Sequence, residues 1–365
     1  MINTRIVNIC DVCEEIFAGG DAPKNHLSET KTDDYPIPIY SNGEAKQGLY
    51  GYTNFSRVNV PSITVSARGT IGYTAIRYEP FVPIVRLITL VPKTDIIDID
   101  YLYFATQNYS FVDSGTSIPQ LTVPMLKKYS FPLPNLEQQK QIAYKLNKIT
   151  ELISLRKKQL SKVDELVKAR FVELFGLPVS NSKKWDTEKM KDIAPAVNYS
   201  GGFEETVWLL NLDMVEAQTG RIIDYLYVSE NEVGNSTCTF GTSNVLYSKL
   251  RPYLNKVVIP DRCGYATSEM VPLKPNPSKI ERTYLAFMLR SDEFVQMINE
   301  KVAGAKMPRV SMSDFRDFNV PVPPMELQSQ FAAFVEQTNK SKSAIQKSLD
   351  KLELLKKALM HKYFG

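Results

Sequence analysis

The sequence contains few of the residue types that catalytic and metal-binding sites usually require. Its 365 residues include only two histidines, His26 and His361, and four cysteines. Histidine is the side chain most often used for acid–base catalysis and metal binding near neutral pH, so chemistry based on histidine is not favoured. Four cysteines in a chain of this length also exclude a small scaffold held together by disulfides.

Two of the cysteines, Cys10 and Cys13, form a CxxC pair. Such a pair is found in redox sites and as half of a zinc site, and it also occurs as two ordinary thiols in a buried segment. The other two, Cys238 and Cys263, lie far apart and supply no second pair. We therefore predict ordinary thiols, with no metal and no cofactor bound by this chain.

Long hydrophobic runs and nucleotide-binding motifs are also lacking. No apolar run approaches the ~20 residues that span a bilayer, and the N-terminus lacks the apolar core of a signal peptide, so we expect a cytoplasmic protein. The sequence holds no GxxxxGK(S/T) phosphate loop, no Gly-rich dinucleotide loop and no N/D-P-P-Y/F motif of an amino-methyltransferase. These absences predict a protein that is not an enzyme.

What the chain does have is an ordinary globular composition, with 43% hydrophobic and 23% charged residues. A chain of this length usually divides into two or three domains. The net charge is only +4, but residues 136–176 hold 9 basic and 5 acidic residues, and residues 325–365 hold 7 and 4. The rest of the chain is slightly acidic, so any nucleic acid bound there has to meet local basic patches.

A long internal repeat is the main feature of the sequence. Residues 115–176 align with residues 304–365 at a constant offset of 189, without a gap over 62 residues. The period far exceeds the roughly 20–50 residues of solenoid repeats, so the match indicates duplication of a whole domain with its following helix. Identical pairs include Gly115/Gly304, Pro119/Pro308, Pro132/Pro321, Pro134/Pro323, Glu137/Glu326, Gln139/Gln328, Gln141/Gln330, Lys168/Lys357, Phe175/Phe364 and Gly176/Gly365.

Each copy of the repeat predicts the same succession of elements. Thr122 and Ser311 occupy equivalent positions and are good N-caps for a single helical turn. A short strand follows, at 129–133 or 318–322, and prolines stop it because they cannot donate hydrogen bonds to a neighbouring strand. A long helix begins at once, with an acidic residue in its first turn, where the helix dipole favours it.

The two long helices carry residues spaced alternately four and three apart that are mostly apolar, the pattern of a coiled-coil seam. We expect the polar exceptions to fix the register or to mark where another subunit docks. The alternative is that each helix packs only on its own domain. The seam positions are Ile142, Leu146, Ile149, Ile153, Arg156, Leu160, Val163, Val167, Arg170 and Leu174, and then Phe331, Val335, Thr338, Lys342, Ile345, Leu349, Leu352, Lys356, Leu359 and Tyr363.

The regions before the helices, 1–114 and 177–303, do not align with one another beyond short stretches. Both are rich in turn signals and short apolar runs, which predict mixed β structure. The predicted elements are a turn at 41–43, strand pairs around Gly69 and around Arg251, and helices at 100–112, 279–289 and 292–302.

This layout resembles the specificity (S) subunit of type I restriction-modification systems over nearly the whole chain. The stretch GTSIPQLTVPMLKKYSFPLPNLEQQKQIA, with the helix behind it, carries the resemblance most strongly, and the second copy carries it more weakly. VSARGTIGYTAI and VLYSKLRPYLNKVVIPDRCGYATSEMVPLKP are also similar to parts of that family's target recognition domains. The chain departs from the family in its rather short length and in Leu327, which stands where the first copy has Gln138.

The resemblance implies an α+β fold with two mixed α/β target recognition domains, each followed by a long helix. The helices are expected to pair as an antiparallel coiled coil with pseudo-twofold symmetry. The implied domains are a first target recognition domain at 1–135, a spacer helix at 136–176, a second target recognition domain at 177–324 and a second spacer helix at 325–365. We refer to 1–135 and 177–324 as the first and second globular regions.

The resemblance also implies that each globular region reads one half of a split, asymmetric DNA site, with the helices setting the spacing. The implied partners are double-stranded DNA, two methyltransferase subunits and the restriction/translocase subunits, with no membrane. Those subunits would use S-adenosylmethionine, ATP and Mg²⁺. Two alternatives remain open: a coiled-coil scaffold that binds only protein, and a metal-dependent nuclease that acts alone.

Base edges are read mainly by guanidinium, ammonium and amide side chains, whereas phosphate contacts need only position and charge. Arg68 and Arg251 lie in Gly- or Pro-containing turns between predicted strands, and we expect each to serve one half-site. The candidate DNA-binding residues are Asn42, Lys46, Tyr50, Arg57, Arg68, Thr70, Ser117 and Gln120 in the first half, and Tyr199, Lys249, Arg251, Lys256, Lys306 and Arg309 in the second. The candidates for partner docking on the helices are Glu137, Gln139, Arg156, Arg170, Glu326, Gln328, Lys342 and Lys356.

Overall fold

The computed structural model of the protein describes residues 5–109, 120–303 and 307–365. The chain forms two compact units, Met1–Lys157 with Lys347–Gly365, and Lys158–Gln346. Each unit holds one globular region, part of the first long helix and part of the second. The domain limits proposed from the sequence divide the chain into four consecutive segments instead. They stay a prediction.

The first globular region is built from short strands and two short helices. They are β1 (Arg5–Asn8), β2 (Cys13–Ala18), β3 (Ile37–Tyr40), β4 (Leu49–Thr53), β5 (Ser62–Val65), β6 (Thr74–Arg77), β7 (Val82–Pro83), β8 (Ile88–Pro92), α1 (Ile99–Gln107), α2 (Val123–Leu126) and β9 (Ser130–Leu133). Four strands form an antiparallel sheet in the order β2-β8-β5-β6, and three form a mixed sheet in the order β4-β3-β7. The opening strand β1 pairs with β9 from the repeat.

The second globular region follows the first long helix, α3 (Leu136–Phe175). Its elements are β10 (Thr187–Lys189), α4 (Met190–Ile193), β11 (Thr206–Leu210), β12 (Leu226–Ser229), β13 (Thr237–Phe240), β14 (Val245–Ser248), β15 (Val257–Val258), β16 (Gly264–Thr267), β17 (Met270–Leu273), α5 (Arg282–Arg290), α6 (Asp292–Asn299), β18 (Val302–Ala303), β19 (Arg309–Val310), α7 (Met312–Arg316) and β20 (Asn319–Pro321). The larger sheet has the order β12-β11-β16-β13, and a second has the order β15-β14-β17. Here too the opening strand, β10, pairs with the strand of the repeat, β20.

The last element is the second long helix, α8 (Met325–Phe364). The predicted coiled-coil seam is confirmed, because all twenty seam positions of α3 and α8 are buried or half-buried. In the second unit Asp164 pairs with Lys342, while Phe171 lies 5.5 Å from Phe331, centroid to centroid. The contact with the higher residue number on α3 thus has the lower residue number on α8, so the two helices run in opposite directions. This confirms the predicted antiparallel pairing.

The ends of both helices are anchored in the same way. In the first unit, the ring of Phe364 at the end of α8 packs on the ring of Tyr101, with 5.0 Å between centroids. In the second unit, the ring of Phe175 at the end of α3 packs on that of Tyr284, with 4.7 Å between centroids. Each tyrosine also donates a hydrogen bond to a proline carbonyl of the repeat strand, Tyr101 to Pro132 at 2.6 Å and Tyr284 to Pro321 at 2.9 Å. The repeat thus builds one anchoring arrangement twice.

Most local predictions are confirmed. Thr122 and Ser311 accept hydrogen bonds from the amides of Met125 and Asp314, both at 3.4 Å, as N-caps of α2 and α7. The predicted helix 100–112 is observed as α1, and its positions 110–112 lie outside the described residues. The strand pairs around Gly69 and Arg251 are β5–β6 and β14–β15. No helix in the described part of the chain is long and apolar enough to cross a membrane.

Candidate nucleic-acid interface

In the first globular region, Asn42 joins three loops. Its carboxamide Nδ2 donates to the carbonyl oxygen of Val85 at 2.6 Å, and its Oδ1 accepts from the amide of Ala67 at 2.7 Å. The next residue, Gly43, donates its amide to Ser66 Oγ at 3.0 Å. Asn42 is half-buried, and both ends of its carboxamide are used on backbone groups, so it holds the loops in place rather than offering a free group to DNA.

Lys46 lies exposed in the first of these loops, in an unusual conformation. Lys46 and Gln47 both have left-handed backbones, with φ of 48° and 56°. The buried Arg77 holds them there by donating to the Gln47 carbonyl oxygen at 2.6 Å, while its guanidinium lies 3.6 Å over the ring of Tyr40. Burial lowers the pKa of Arg77, and the nearby Tyr40 opposes that shift. Tyr50, also a candidate, follows this loop with half of its surface exposed.

Arg68 lies in the second loop, where the structure brings it together with Gln120. Its guanidinium donates from Nε at 3.3 Å and from Nη2 at 3.0 Å to Gln120 Oε1, although the two residues are 52 positions apart. The backbone beside them is also joined, since the Leu121 amide donates to the Ala67 carbonyl oxygen at 2.9 Å. Thr70 is exposed in the same turn. The structure therefore places the loop of Arg68 beside the repeat.

Arg57 is exposed as well, with its guanidinium 4.4 Å over the ring of Phe17. Ser117 and Lys306, two further candidates within the repeat, lie outside the described residues.

In the second globular region the equivalent of Gln120 is Arg309, and it also makes a side-chain pair. Its guanidinium binds Glu269 through Nη2 at 2.9 Å and Nε at 3.2 Å. The hydrogen bond from Arg309 holds the pKa of Glu269 below its ordinary value, and the charge of Lys249 acts in the same direction. The backbone joint is repeated, because the Val310 amide donates to the Lys249 carbonyl oxygen at 2.9 Å.

Arg251 and Lys256 have different surroundings. Arg251 is exposed with a left-handed backbone, φ 49°, and its amide donates to the Pro308 carbonyl oxygen at 2.8 Å. Lys256 is half-buried, and its ammonium donates to the Leu212 carbonyl oxygen at 2.6 Å. Burial lowers the pKa of Lys256. This hydrogen bond favours a structural role for Lys256, whereas Arg251 is exposed at the surface.

Tyr199 is half-buried at the edge of the second region. Its carbonyl oxygen accepts from Thr239 Oγ1 at 2.7 Å, and its ring lies 5.6 Å from that of Phe203. A side-chain hydrogen bond with Cys263 raises the pKa of Tyr199. These contacts place it among packed aromatic residues.

The docking candidates on the helices divide into buried and exposed residues. Gln139 and Gln328 are completely buried, so they have no surface to offer a partner. Each binds three backbone groups: Gln139 accepts from the Asp98 amide and donates to Ile96 and Pro134, and Gln328 accepts from the Glu281 amide and donates to Lys279 and Pro323. Both glutamines therefore fasten a helix to its globular region.

The other candidates lie on the surface or in the seam. Glu137 and Glu326 are exposed in the first turns of α3 and α8. Arg170 pairs with Glu173 at 2.8 Å, Lys342 pairs with Asp164, and Lys356 is half-buried 5.9 Å over the ring of Phe104. Arg156 is half-buried in the seam.

The structure also identifies residues that the sequence analysis missed. Glu269 binds the candidate Arg309, and Arg77 binds the Gln47 carbonyl oxygen next to the candidate Lys46. They lie in a turn and at a strand end with no recognisable motif. Arg86 is exposed beside Val85 in the third loop of the first region, and only its left-handed backbone, which the sequence does not reveal, sets it apart. Among the described residues, no group of three or more metal-ligating side chains comes together.

Comparisons with known proteins match most of the chain. The family model for the type I restriction modification DNA specificity domain matches residues 1–165 and 216–354. The chain is 37% identical over 161 residues to S.MpnORF89P of Mycoplasma pneumoniae, which carries the name of a type I specificity subunit, and the match covers 41% of this chain and 48% of that protein. It is 23% identical over 274 residues to the EcoDI specificity subunit of Escherichia coli, covering 65% and 61%. In both cases the chain spans less than two thirds of the relative's length.

Among solved structures, the chain is similar to the S subunit of a type I restriction-modification system from M. genitalium. The TM-score is 0.61 at 18% identity, over 100% of this chain and 96% of that one. A likeness at this identity concerns the fold, and it confirms the predicted mixed α/β regions with long helices. Because the family model covers most of the sequence, this chain belongs to the type I restriction-modification DNA specificity family.

Proposed function

We propose that this chain is the non-catalytic DNA-recognition subunit of a type I restriction-modification complex. Each globular region reads one half of a split, asymmetric DNA site, and the paired helices set the distance between the halves. Linking two readers makes binding of the second half-site effectively intramolecular, which raises the affinity for the complete site. A pseudo-symmetric pair of readers also prescribes the half-site separation, as in dimeric repressors.

The observation that carries the proposal is the duplicated joint between each globular region and its helix. The same hydrogen bonds recur at Gln139 and Gln328 and at Leu121 and Val310, while the sequences that precede the joints diverge. An adaptor needs this division, because its specificity has to change while its assembly surface stays fixed. Exposed arginines next to each joint, Arg68 and Arg309, support DNA as the ligand of the divergent parts.

The long helices are proposed to dock two methyltransferase subunits, and restriction/translocase subunits join that core. Seven large apolar side chains are exposed on the two helices, and a protein partner would remove them from water. They are Tyr144, Leu152, Leu155, Leu354 and Leu355 in the first unit and Leu166 and Val172 in the second. S-adenosylmethionine, ATP and Mg²⁺ would be used by the partner subunits.

The experiment is to assemble the chain with its methyltransferase subunit and to map methylation on a random duplex library. We expect one motif with two fixed parts separated by a gap of fixed length. Replacing residues 177–324 with the corresponding region of another specificity subunit should change one part of the motif and leave the other part and the gap unchanged. The matched control replaces residues 1–135 and should change the opposite part.

Two results would overturn the proposal. A complex that methylates DNA without any motif would leave a protein scaffold as the better description. Cleavage of DNA by the purified chain alone with Mg²⁺ would instead indicate a nuclease.

A further inference from the structure

The turn at Val85 and Arg86 has a conformation that its residue types disfavour. Both residues are left-handed, with φ of 51° and 63°. A β-branched residue such as valine rarely adopts this region, and the conformation persists only where its surroundings impose it. The turn nevertheless exposes nearly half of Val85, at 46%, and also exposes Arg86. Packing therefore does not explain why an apolar and a cationic side chain stand here.

The surroundings do impose the conformation. The amides of Val85 and Arg86 donate to the carbonyl oxygens of Gly20 at 2.7 Å and Gly19 at 3.0 Å. A side chain at Gly19 would come within 2.6 Å of the backbone of Pro83, so only glycine permits this approach. Strain that is held by its environment on an exposed turn points to a site of function.

Asn42 then ties this turn to the two neighbouring loops. Its carboxamide bridges the Val85 carbonyl oxygen and the Ala67 amide, so Arg86 and Arg68 each lie one residue from an atom that Asn42 holds. Lys46 is exposed in the loop of Asn42 itself. One half-buried amide thus organises three loops that each carry an exposed cation.

The charge of these loops fits DNA. Arg57 also lies close to this turn, because its Nη1 is 3.9 Å from the position that a Cβ atom on Gly20 would occupy. The exposed acids nearest in sequence to Lys46, Arg57, Arg68 and Arg86 are Glu44 and Glu79, and Asp21 follows Gly20, so the four cations exceed these three acids by one. Arg68 is bound to Gln120, whereas in the described part of the chain the Arg86 guanidinium has no hydrogen-bond or ion-pair partner.

We propose that Val85 and Arg86 read bases of the first half-site, with Asn42 as the residue that positions them. This rests on the proposed function of the chain as a DNA reader. An exposed arginine donates two hydrogen bonds to the O6 and N7 of guanine, and an apolar side chain next to it fits the methyl group of thymine. The turn would therefore read an adjacent guanine and thymine in the major groove.

The test uses the complex with its methyltransferase subunit and three duplexes: the complete site, the site with its first half scrambled and the site with its second half scrambled. Arg86→Ala should weaken binding to the complete site roughly 5- to 100-fold. It should not weaken binding to the duplex whose first half is scrambled. The matched control is Arg5→Ala, which removes an exposed arginine from β1, outside these loops, and should change neither affinity.

Val85→Gly separates reading from folding. Glycine accepts the left-handed backbone without strain, so this variant should unfold at the same temperature as the wild type or a higher one. It should nevertheless lose discrimination at one base pair of the first half. Asn42→Ala should lower first-half affinity although it removes no charge.

The outcomes distinguish this inference from the function it rests on. If Arg86→Ala and Val85→Gly bind the complete site within twofold of the wild type, the inference is wrong while the proposed function stands. A loss that is equal on all sequences, with a shallower dependence on salt, would make Arg86 a phosphate contact and would also overturn base reading. A wild-type complex that binds all three duplexes equally would overturn both.

Discussion

Gln139 accepts a hydrogen bond from the backbone amide of Asp98 at 2.8 Å, and Gln328 accepts one from the amide of Glu281 at the same distance. Asp98 and Glu281 are in turn the N-caps of α1 and α5. Each glutamine therefore links the first turn of a long helix to the start of a helix in its globular region. Each globular region and its long helix are thus joined through buried groups rather than across a surface contact.

Replacing Gln139 with leucine should destabilise the first unit by about 3 kcal/mol. Leucine fits a similar volume but leaves the Asp98 amide and the carbonyls of Ile96 and Pro134 unpaired in a buried site, at roughly 1–3 kcal/mol for each group that water cannot reach. Gln328→Leu should have the same effect on the second unit. Chemical denaturation followed by circular dichroism measures both.

Gln141→Leu provides the control for these variants, because Gln141 is exposed on the same helix and its side chain bonds to Glu137, another exposed residue of that helix. A Gln139→Leu loss no larger than that of the control would show that the buried network does not stabilise the joint.

The sequence predicted the repeat and the two long helices better than the loops proposed to read DNA. The ungapped repeat and the seam spacing predicted both long helices, because these features depend on local periodicity. The sequence also indicates that Gln139 is buried, because it lies three residues before Ile142, on the same face of the helix. Gln139 is among the predicted docking residues, whereas its carboxamide is buried and binds three backbone groups.

The contacts among the loops were not predictable in the same way. Arg68 meets Gln120 and Arg309 meets Glu269 across 52 and 40 positions, and such pairs depend on how the sheets bring distant turns together. Lys256 has the residue type of a DNA contact, yet its ammonium is used on the Leu212 carbonyl. Residue type indicated the chemistry, but only the fold decides which cations remain available.

The two thiols of the CxxC pair should differ strongly in reactivity. Cys10 is exposed, whereas Cys13 is buried, and burial raises the pKa of the Cys13 thiol to about 12. Only the thiolate reacts, so at pH 8 iodoacetamide should modify Cys10 in the native protein and reach Cys13 only after unfolding. Mass spectrometry of the Cys10→Ser and Cys13→Ser variants measures each site separately. Equal labelling of both thiols in the native protein would contradict the burial of Cys13.

The arginines displayed by the two globular regions should act on different half-sites. Arg68→Ala should weaken binding to the first half and Arg251→Ala to the second, by about 1–3 kcal/mol each if a base is read. The measurement is the affinity of the methyltransferase complex for duplexes mutated in one half at a time. Lys256→Ala is a useful comparison, because its bonded ammonium should contribute to folding rather than to either half-site. If the variants instead lose the same affinity for every DNA sequence, and binding depends less on salt, the arginines contact phosphates.

Lys356 should destabilise the coiled-coil seam at neutral pH. It occupies the position that Val167 takes in the first copy of the repeat, and burial lowers its pKa, with the charge of Lys157 acting in the same direction. A lysine whose folded pKa is lowered binds fewer protons when folded than when unfolded, so folding is opposed below its ordinary pKa of 10.5 and favoured as the pH rises toward it. Lys356→Val should therefore raise the stability at pH 7 by about 0.5–1 kcal/mol, allowing for solvent screening.

The advantage of Lys356→Val over the wild type should shrink as the pH approaches 10.5, because the wild-type ammonium then loses its charge. Denaturation midpoints at pH 7, 9 and 10 measure this difference, and tyrosines that titrate in the same range cancel between the two proteins. Lys357→Val is the control, since Lys357 is the exposed neighbour and should show neither the gain nor its pH dependence. A gain that is the same at every pH would mean that valine acts through packing alone, and that the buried charge is not what weakens the seam.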